Sequence, residues 1–255
     1  MKNKTGIIVN GSIRTAGVTF YLRDGQTIAR SSVSMQPRRC TIKQFINRQR
    51  LAHNRALWRE LRGVCSPLMS DGRRPLAAFC ALAAKLPPVC LTRNDHAAGA
   101  ALLLPGIPVS CGTLPDIGCR LASVDGTPAL LTDLSPDALS AADRLLLVAL
   151  RQRTLGGVPR LVVDTEDIAL ADTRLVDNCI ALVGDRYGDT ACGWALVRRR
   201  ADRCSSQRVV TLSTAYQAYL TPDALQRAAD SYGGLTPRPD GDSLYSPAPC
   251  FSAAV

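Results

Sequence analysis

Residues 120–132 read RLASVDGTPALLT. Two β-prone runs flank Asp125-Gly126, and a two-residue Asp-Gly loop suits a type I′ turn because both of its central residues must take positive φ. The same grammar repeats downstream. Arg144–Leu150, Arg160–Asp164, Cys179–Gly184, Trp194–Arg198 and Arg208–Leu212 are further strand candidates, set apart by Gly156-Gly157, Asp185 to Asp189 and Ser205-Ser206. Residues 140–149 also suit a helix, since Leu and Ala are good helix formers; the strand reading is preferred for its place in the series.

With Arg120–Val124 and Ala129–Thr132, these make about seven short strands separated by turns. That pattern predicts an antiparallel β-sandwich of immunoglobulin or fibronectin type III kind over residues 119–213.

Upstream, Val18 to Val33 holds a second Asp-Gly loop, Asp24-Gly25. Counting outward pairs Leu22 with Thr27, Tyr21 with Ile28 and Phe20 with Ala29. Gly6 to Ile13 reads as an added strand. Thr41 opens a helix to about Leu61. Steps of 100° put Ile42, Phe45, Ile46, Ala52, Ala56 and Leu57 on one apolar face. Arg48, Arg55, Arg59 and Arg62 fall close to one line elsewhere, flanked by Leu51 and Trp58. Pro75 suits the first turn of a second helix, Leu76 to Leu86, which Pro87-Pro88 ends. Ala97 to Gly118 is punctuated by Pro and Gly and reads as a connector. After the sandwich, Thr221-Pro222-Asp223 starts a short helix through Ala229, closed by Gly233-Gly234.

The expected class is therefore α+β. Residues 1–90 form a basic module of β-hairpin and two helices, 91–118 a linker, 119–213 the sandwich, 214–234 a short helix, and 235–255 a mobile tail with four prolines.

Apolar residues make up 46% of the 255-residue chain and aromatics only 5%, so the core must be built from Leu, Val, Ala and Ile. The net charge of +10 is unevenly spread. Residues 1–90 carry 16 Lys and Arg against three acids; residues 91–255 carry 15 Arg against 18 acids. Such asymmetry points to nucleic acid, another polyanion or an acidic protein surface as partner. The most apolar stretch, Ala97 to Val109, is broken by glycine and proline and is too short to span a bilayer. Gly6 to Val9 is too short for a signal-peptide core. A cytoplasmic protein without membrane contact is expected.

Ten cysteines show no C-x-x-C pair. The closest two, Cys111 and Cys119, lie eight residues apart, so free and mostly buried thiols are expected rather than a metal site. His53 and His96 stand beside no nucleophile motif, and neither G-x-S-x-G nor a phosphate-binding glycine loop occurs. Asp164, Glu166, Asp167 and Asp172 cluster on a strand end and loop, where acids are usually just solvated. No catalytic residue and no cofactor is expected, and the chain reads as a non-enzyme.

The arginine line is the candidate site. Arg48, Arg55, Arg59 and Arg62 suit successive contacts to a phosphate backbone, with Trp58 placed to stack on a base. Arg38, Arg39, Arg73 and Arg74 would widen the patch. Two blander readings compete: a solvated helix face, and a face paired with acids such as Asp164 and Glu166. The favoured function is a non-catalytic binding protein with the sandwich as scaffold or protein-binding surface. The alternative is a structural or assembly component of a phage-like or surface-associated particle, docking through its hairpin edge and basic helix. A homo-oligomer is compatible with either.

The stretches Gly17 to Tyr21, Asp24 to Ser31 and Gln44 to Arg50, with Pro105 to Val109 and Ala224 to Gly233, resemble an uncharacterised family common in Bacteroidetes genomes. The resemblance implies an N-terminal hairpin and basic helix joined to an immunoglobulin-like domain. It implies no activity, cofactor or catalytic residue.

Overall fold

The structure, a computed structural model, describes residues 12–15, 18–23, 26–31 and 40–235. Asp24-Gly25, most of the strand expected from Gly6, Arg38, Arg39 and the tail from 236 lie outside the described residues. The chain divides into two compact units, Met1–Cys40 and Thr41–Val255.

In the first unit β1 (Ser12–Thr15), β2 (Val18–Arg23) and β3 (Gln26–Ser31) form an antiparallel sheet in that order. The β2–β3 register pairs Leu22 with Thr27, Tyr21 with Ile28 and Phe20 with Ala29. This is the register that a two-residue loop at Asp24-Gly25 demands.

The second unit opens with α1 (Ile42–Cys65), one turn longer than expected. Thr41 and Gln44 cap it reciprocally: Thr41 Oγ1 accepts from Gln44 N at 3.3 Å, and Gln44 Oε1 accepts from Thr41 N at 3.2 Å. Pro75 begins α2 (Pro75–Ala83), where its missing N–H costs nothing. A third helix, α3 (Arg93–Ala97), lies in the stretch expected to be linker. The strands that follow are β4 (Pro108–Ser110), β5 (Cys119–Val124), β6 (Thr127–Thr132), β7 (Arg144–Leu155), β8 (Val158–Ile168), β9 (Arg174–Val176) and β10 (Cys179–Val183). Then come β11 (Cys192–Arg200), β12 (Arg203–Cys204), β13 (Gln207–Arg208) and β14 (Val210–Thr211). Thr221 caps α4 (Pro222–Ser231), its hydroxyl accepting from Ala224 N at 3.1 Å.

Positive φ at Asp125 (50°) and Gly126 (80°) turns β5 into β6, and Gly156 (57°) with Gly157 (79°) turns β7 into β8. Asp177 and Asn178, at 49° and 60°, do the same between β9 and β10, a hairpin the turn pattern had not revealed. The strand expected at Arg208–Leu212 is split: β13 pairs with β4 and β14 with β11.

These strands build two main antiparallel sheets, ordered β5-β6-β10-β9 and β12-β11-β7-β8, the latter with β14 also on β11. They share one core: Leu130, Ile180 and Leu182 from the first sheet meet Leu145, Leu147, Trp194 and Leu196 from the second. The other face of β7 and β11 presents Leu146, Val148, Leu150, Ala195 and Val197. It is covered by Leu57, Leu61 and Cys65 of α1, by Ala78, Phe79 and Ala83 of α2, and by Leu102–Leu104, all fully buried. The fold is mixed α and β, a sheet layer, a second sheet layer and a helix layer.

This changes the expected organisation. Residues 91–118 are no linker: Leu102, Leu103, Leu104, Ile107 and Val109 are each 0% exposed. Gly106, at φ 79°, reverses the chain so that both flanking apolar runs turn inward. The helices and the sheets share that core, so the division in the chain falls at Cys40–Thr41 rather than between 90 and 119. Among the described residues no helix is long and apolar enough to cross a membrane.

Candidate polyanion-binding face

Helix α1 carries two contrasting faces. The inner one buries Phe45, Ala56, Leu57, Leu61 and Cys65 together with three polar residues, Gln49, His53 and Asn54. Ile42, Ile46 and Ala52, expected in the buried stripe, are only half-buried. Gln49 and His53 share their angular sector at the same 3.6-residue spacing, which apolar periodicity alone does not register.

Two of the three polar residues tie α1 to its neighbours, Asn54 to the end of α2 and Gln49 to the segment after it. Gln49 Oε1 accepts from Leu91 N at 3.2 Å and lies 2.9 Å from His96 Nε2, which donates in the tautomer protonated there. Asn54 Nδ2 donates to Ala83 O at 3.4 Å. His53 is 1% exposed, and neither ring nitrogen has a partner among the described residues. Burial, with a smaller push from His96, lowers its pKa to about 3, so it is neutral at ordinary pH. His96 is also lowered, first by burial, with Asp95 opposing and Arg59 reinforcing.

The outer face holds the arginine line. Arg48, Arg55, Arg59 and Arg62 are all exposed. At about 1.5 Å of rise per residue they cover roughly 20 Å of helix. Among the described residues none of the four is in an ion pair with a carboxylate. The rival idea that this face folds onto Asp164 and Glu166 gains no contact: Glu166 instead meets Arg186, at 2.5 Å, in an exposed pair.

Trp58 is placed differently from its expected role. It is half-buried against the core, its ring tilted on Phe79 with centroids 5.2 Å apart, so that packing already uses the ring. Arg73 and Arg74 are exposed just before α2. The Arg73 guanidinium is bound by Asp71 through Nε at 2.6 Å and through Nη2, which offsets its charge. Arg74 is in no ion pair with a carboxylate among the described residues. Arg38 and Arg39 lie outside the described residues.

A cleft of about 450 Å³ opens elsewhere, lined in part by Ser110, Asp116, Cys119, Ser206, Gln207 and Arg208. Its polar groups are engaged within the protein. Asp116 accepts from Ser206 N at 2.8 Å, Ser110 Oγ accepts from Gln207 N at 3.0 Å, and Arg208 Nη1 donates to the carbonyls of Leu82 and Gly106. Burial pushes Cys65 up to about 12 and Cys90 and Cys119 up to about 11, the opposite of thiolate activation.

The chain matches no protein-family model, no curated protein and no solved structure.

Proposed function

We propose that this chain is a non-catalytic protein that holds a nucleic-acid backbone along the outer face of α1. The observation that carries the reading is the line of four exposed arginines with no carboxylate pairing among the described residues. A guanidinium presents a fork of donors that fits phosphate oxygens, and counterion release makes each contact favourable at moderate salt.

The stacked sheets then serve as a rigid scaffold of immunoglobulin kind. Strand order supports this. With β5, β6, β9 and β10 taken as A, B, D and E, and β7, β8, β11 and β12 as C, C′, F and G, the sheets run A-B-E-D and C′-C-F-G. The departure is the helix layer, which covers the outer face of the second sheet and presents the arginines.

Fluorescence anisotropy with a labelled mixed-sequence oligonucleotide, titrated against salt, tests the function. Four contacts to a single strand give a log–log slope of roughly −3. Each Arg→Ala change on the line reduces it by about 0.7 and leaves the melting temperature unchanged. Absence of binding at ~0.1 M salt, or loss of thermal stability in place of affinity, overturns the reading.

A further inference from the structure

Three other segments bring Gly99, Arg153 and Arg160 close to the Arg59 part of the α1 face. Gly99, buried and at φ +73°, sits where the chain leaves α3. A Cβ at that position would lie 3.4 Å from Arg59 Nη2 and 3.4 Å from Arg160 Nη1. The two guanidinium nitrogens are therefore less than twice that distance apart, one from α1 and one from β8. Glycine suits the position by its φ, one that side chains rarely adopt, while a Cβ there would only come into van der Waals contact with the two guanidiniums.

At a hydrated surface two guanidiniums at this separation repel only weakly, and an anion placed between them would be attracted by both. The protein supplies one carboxylate: Glu60 Oε1 forms a long ion pair with Arg160 Nη1 at 3.9 Å, beyond hydrogen-bond range, which offsets part of its charge. Arg160 Nη2 donates to the carbonyl of Ala98, which fixes the head group without neutralising it. Arg59 makes no side-chain hydrogen bond among the described residues. The cross-strand partner of Arg160 in the β7–β8 ladder is Arg153, a further exposed cation, and like charges directly opposite are unfavourable. The site holds an excess of positive charge with one arm oriented and one arm free.

We propose that Arg59 and Arg160 form a two-pronged seat for a single phosphate group, over Gly99 and beside Arg153. The seat rests on the reading of the α1 face as a nucleic-acid surface and gives that face an anchoring point, one phosphodiester gripped from two elements. Arg160 comes from the sheet, so the grip also sets the backbone's position relative to the scaffold. Glu60 works against it, so removing that carboxylate's charge tightens binding.

The test uses the full chain with two probes, inorganic phosphate followed by NMR or calorimetry, and the labelled oligonucleotide followed by anisotropy. Arg59→Ala and Arg160→Ala each abolish saturable phosphate binding and weaken oligonucleotide binding by about tenfold at ~0.1 M salt. Arg160→Lys, which keeps the charge but not the fork, loses phosphate binding while retaining part of the oligonucleotide affinity. Glu60→Gln strengthens both. Arg48→Ala, at the far end of the helix, weakens the oligonucleotide and leaves phosphate untouched. If Arg160→Ala and Glu60→Gln match the unmodified protein on both probes while Arg48→Ala and Arg55→Ala still weaken the oligonucleotide, the seat is wrong and the arginine line stands. If phosphate binds through Arg59 and Arg160 but no oligonucleotide binds, the seat stands and the nucleic-acid reading falls. Melting curves of each variant confirm that the chain is folded in every comparison.

Discussion

The Asp143 carboxylate, 1% exposed, lies 2.7 Å from the guanidinium of Arg198, itself 8% exposed. The pair joins the loop before β7 to the C-terminal part of β11. Arg200 adds two further bonds to the same carboxylate, and Ser140 donates to it from both N and Oγ. Arg198 also donates to Ala138 O at 2.8 Å.

Asp143→Asn keeps the shape but strips Arg198 of its counter-charge inside the protein. Breaking a buried pair from one side costs about 3 kcal/mol or more. Urea titration should show the unfolding free energy falling by that amount, through a lower midpoint at an unchanged slope. The guanidiniums of Arg200 and Arg198 hold the Asp143 carboxyl well below the usual carboxylate range. A depressed carboxylate contributes stability that is full above its unfolded value of about 3.9 and is lost as pH falls further. The native chain should therefore lose stability below about pH 4, and Asp143→Asn should lose less of it over that range.

His53 sets a second and separate pH limit. Its folded pKa of about 3 lies below the unfolded value of about 6.5. Between the two, the unfolded chain binds the proton and the folded chain does not. Stability is then complete above about 6.5 and declines as pH drops, approaching about 1.4 kcal/mol per unit. His96, packed near it and lowered as well, adds in the same direction. His53→Leu removes a buried polar ring with no hydrogen-bond partner among the described residues. It should flatten the melting profile between pH 4 and 6.5. A profile as steep as that of the native chain would show that other groups carry the dependence.

Gly112 passes close against the carbonyl of Cys204. A Cβ on it would stand 2.0 Å from Cys204 O and 2.8 Å from Cys204 Sγ. The contact is held by Leu114 N donating to the same carbonyl at 3.0 Å and by Gly112 N donating to Ser206 Oγ at 3.2 Å. Backbone cannot move aside as a flexible side chain does, so Gly112→Ala should cost about 3 kcal/mol or prevent folding. Gly72→Ser is the control for glycine loss without crowding: its φ of +81° brings strain, but nothing lies within 4 Å. Equal melting temperatures for Gly112→Ala and the native chain would refute the close packing.

What could be read from the chain follows the range of the forces involved. Caps and turns are local, so Thr41, Pro75, Thr221, Asp125-Gly126 and Gly156-Gly157 each announced an element the structure contains. The β2–β3 register followed from a loop of fixed length. The arginine line followed from helical spacing alone. Burial of residues 100–109 was missed because Pro105 and Gly106 suggest surface loop, although a turn can equally fold two apolar runs inward. One signal pointed the other way. Residues 145–150, Leu-Leu-Leu-Val-Ala-Leu, do not alternate, and an unbroken apolar strand is one covered on both faces. That run already called for a third layer, which α1, α2 and the 100–104 segment supply. The Arg59–Arg160 approach had no local signature, since its partners come from distant segments.

The third layer decides how the chain can be cut. Leu146, Val148, Leu150, Ala195 and Val197 project from β7 and β11 into the helix layer and are at most 8% exposed. Each large one contributes about 2 kcal/mol through burial, comparable in sum to the whole stability of an ordinary domain. A fragment of residues 119–235 keeps both sheets but exposes this face to water. It should therefore be expanded or aggregated, with strong binding of a hydrophobic dye and no cooperative urea transition. A fragment of residues 41–235 keeps α1, α2 and the buried 100–109 segment, so it should unfold cooperatively at nearly the midpoint of the full chain. Limited proteolysis of the full chain should cut near residue 40 and spare the stretch between 87 and 118. A stable, cooperatively folded 119–235 fragment would mean that the two sheets stand alone and that the helix layer is an accessory to them.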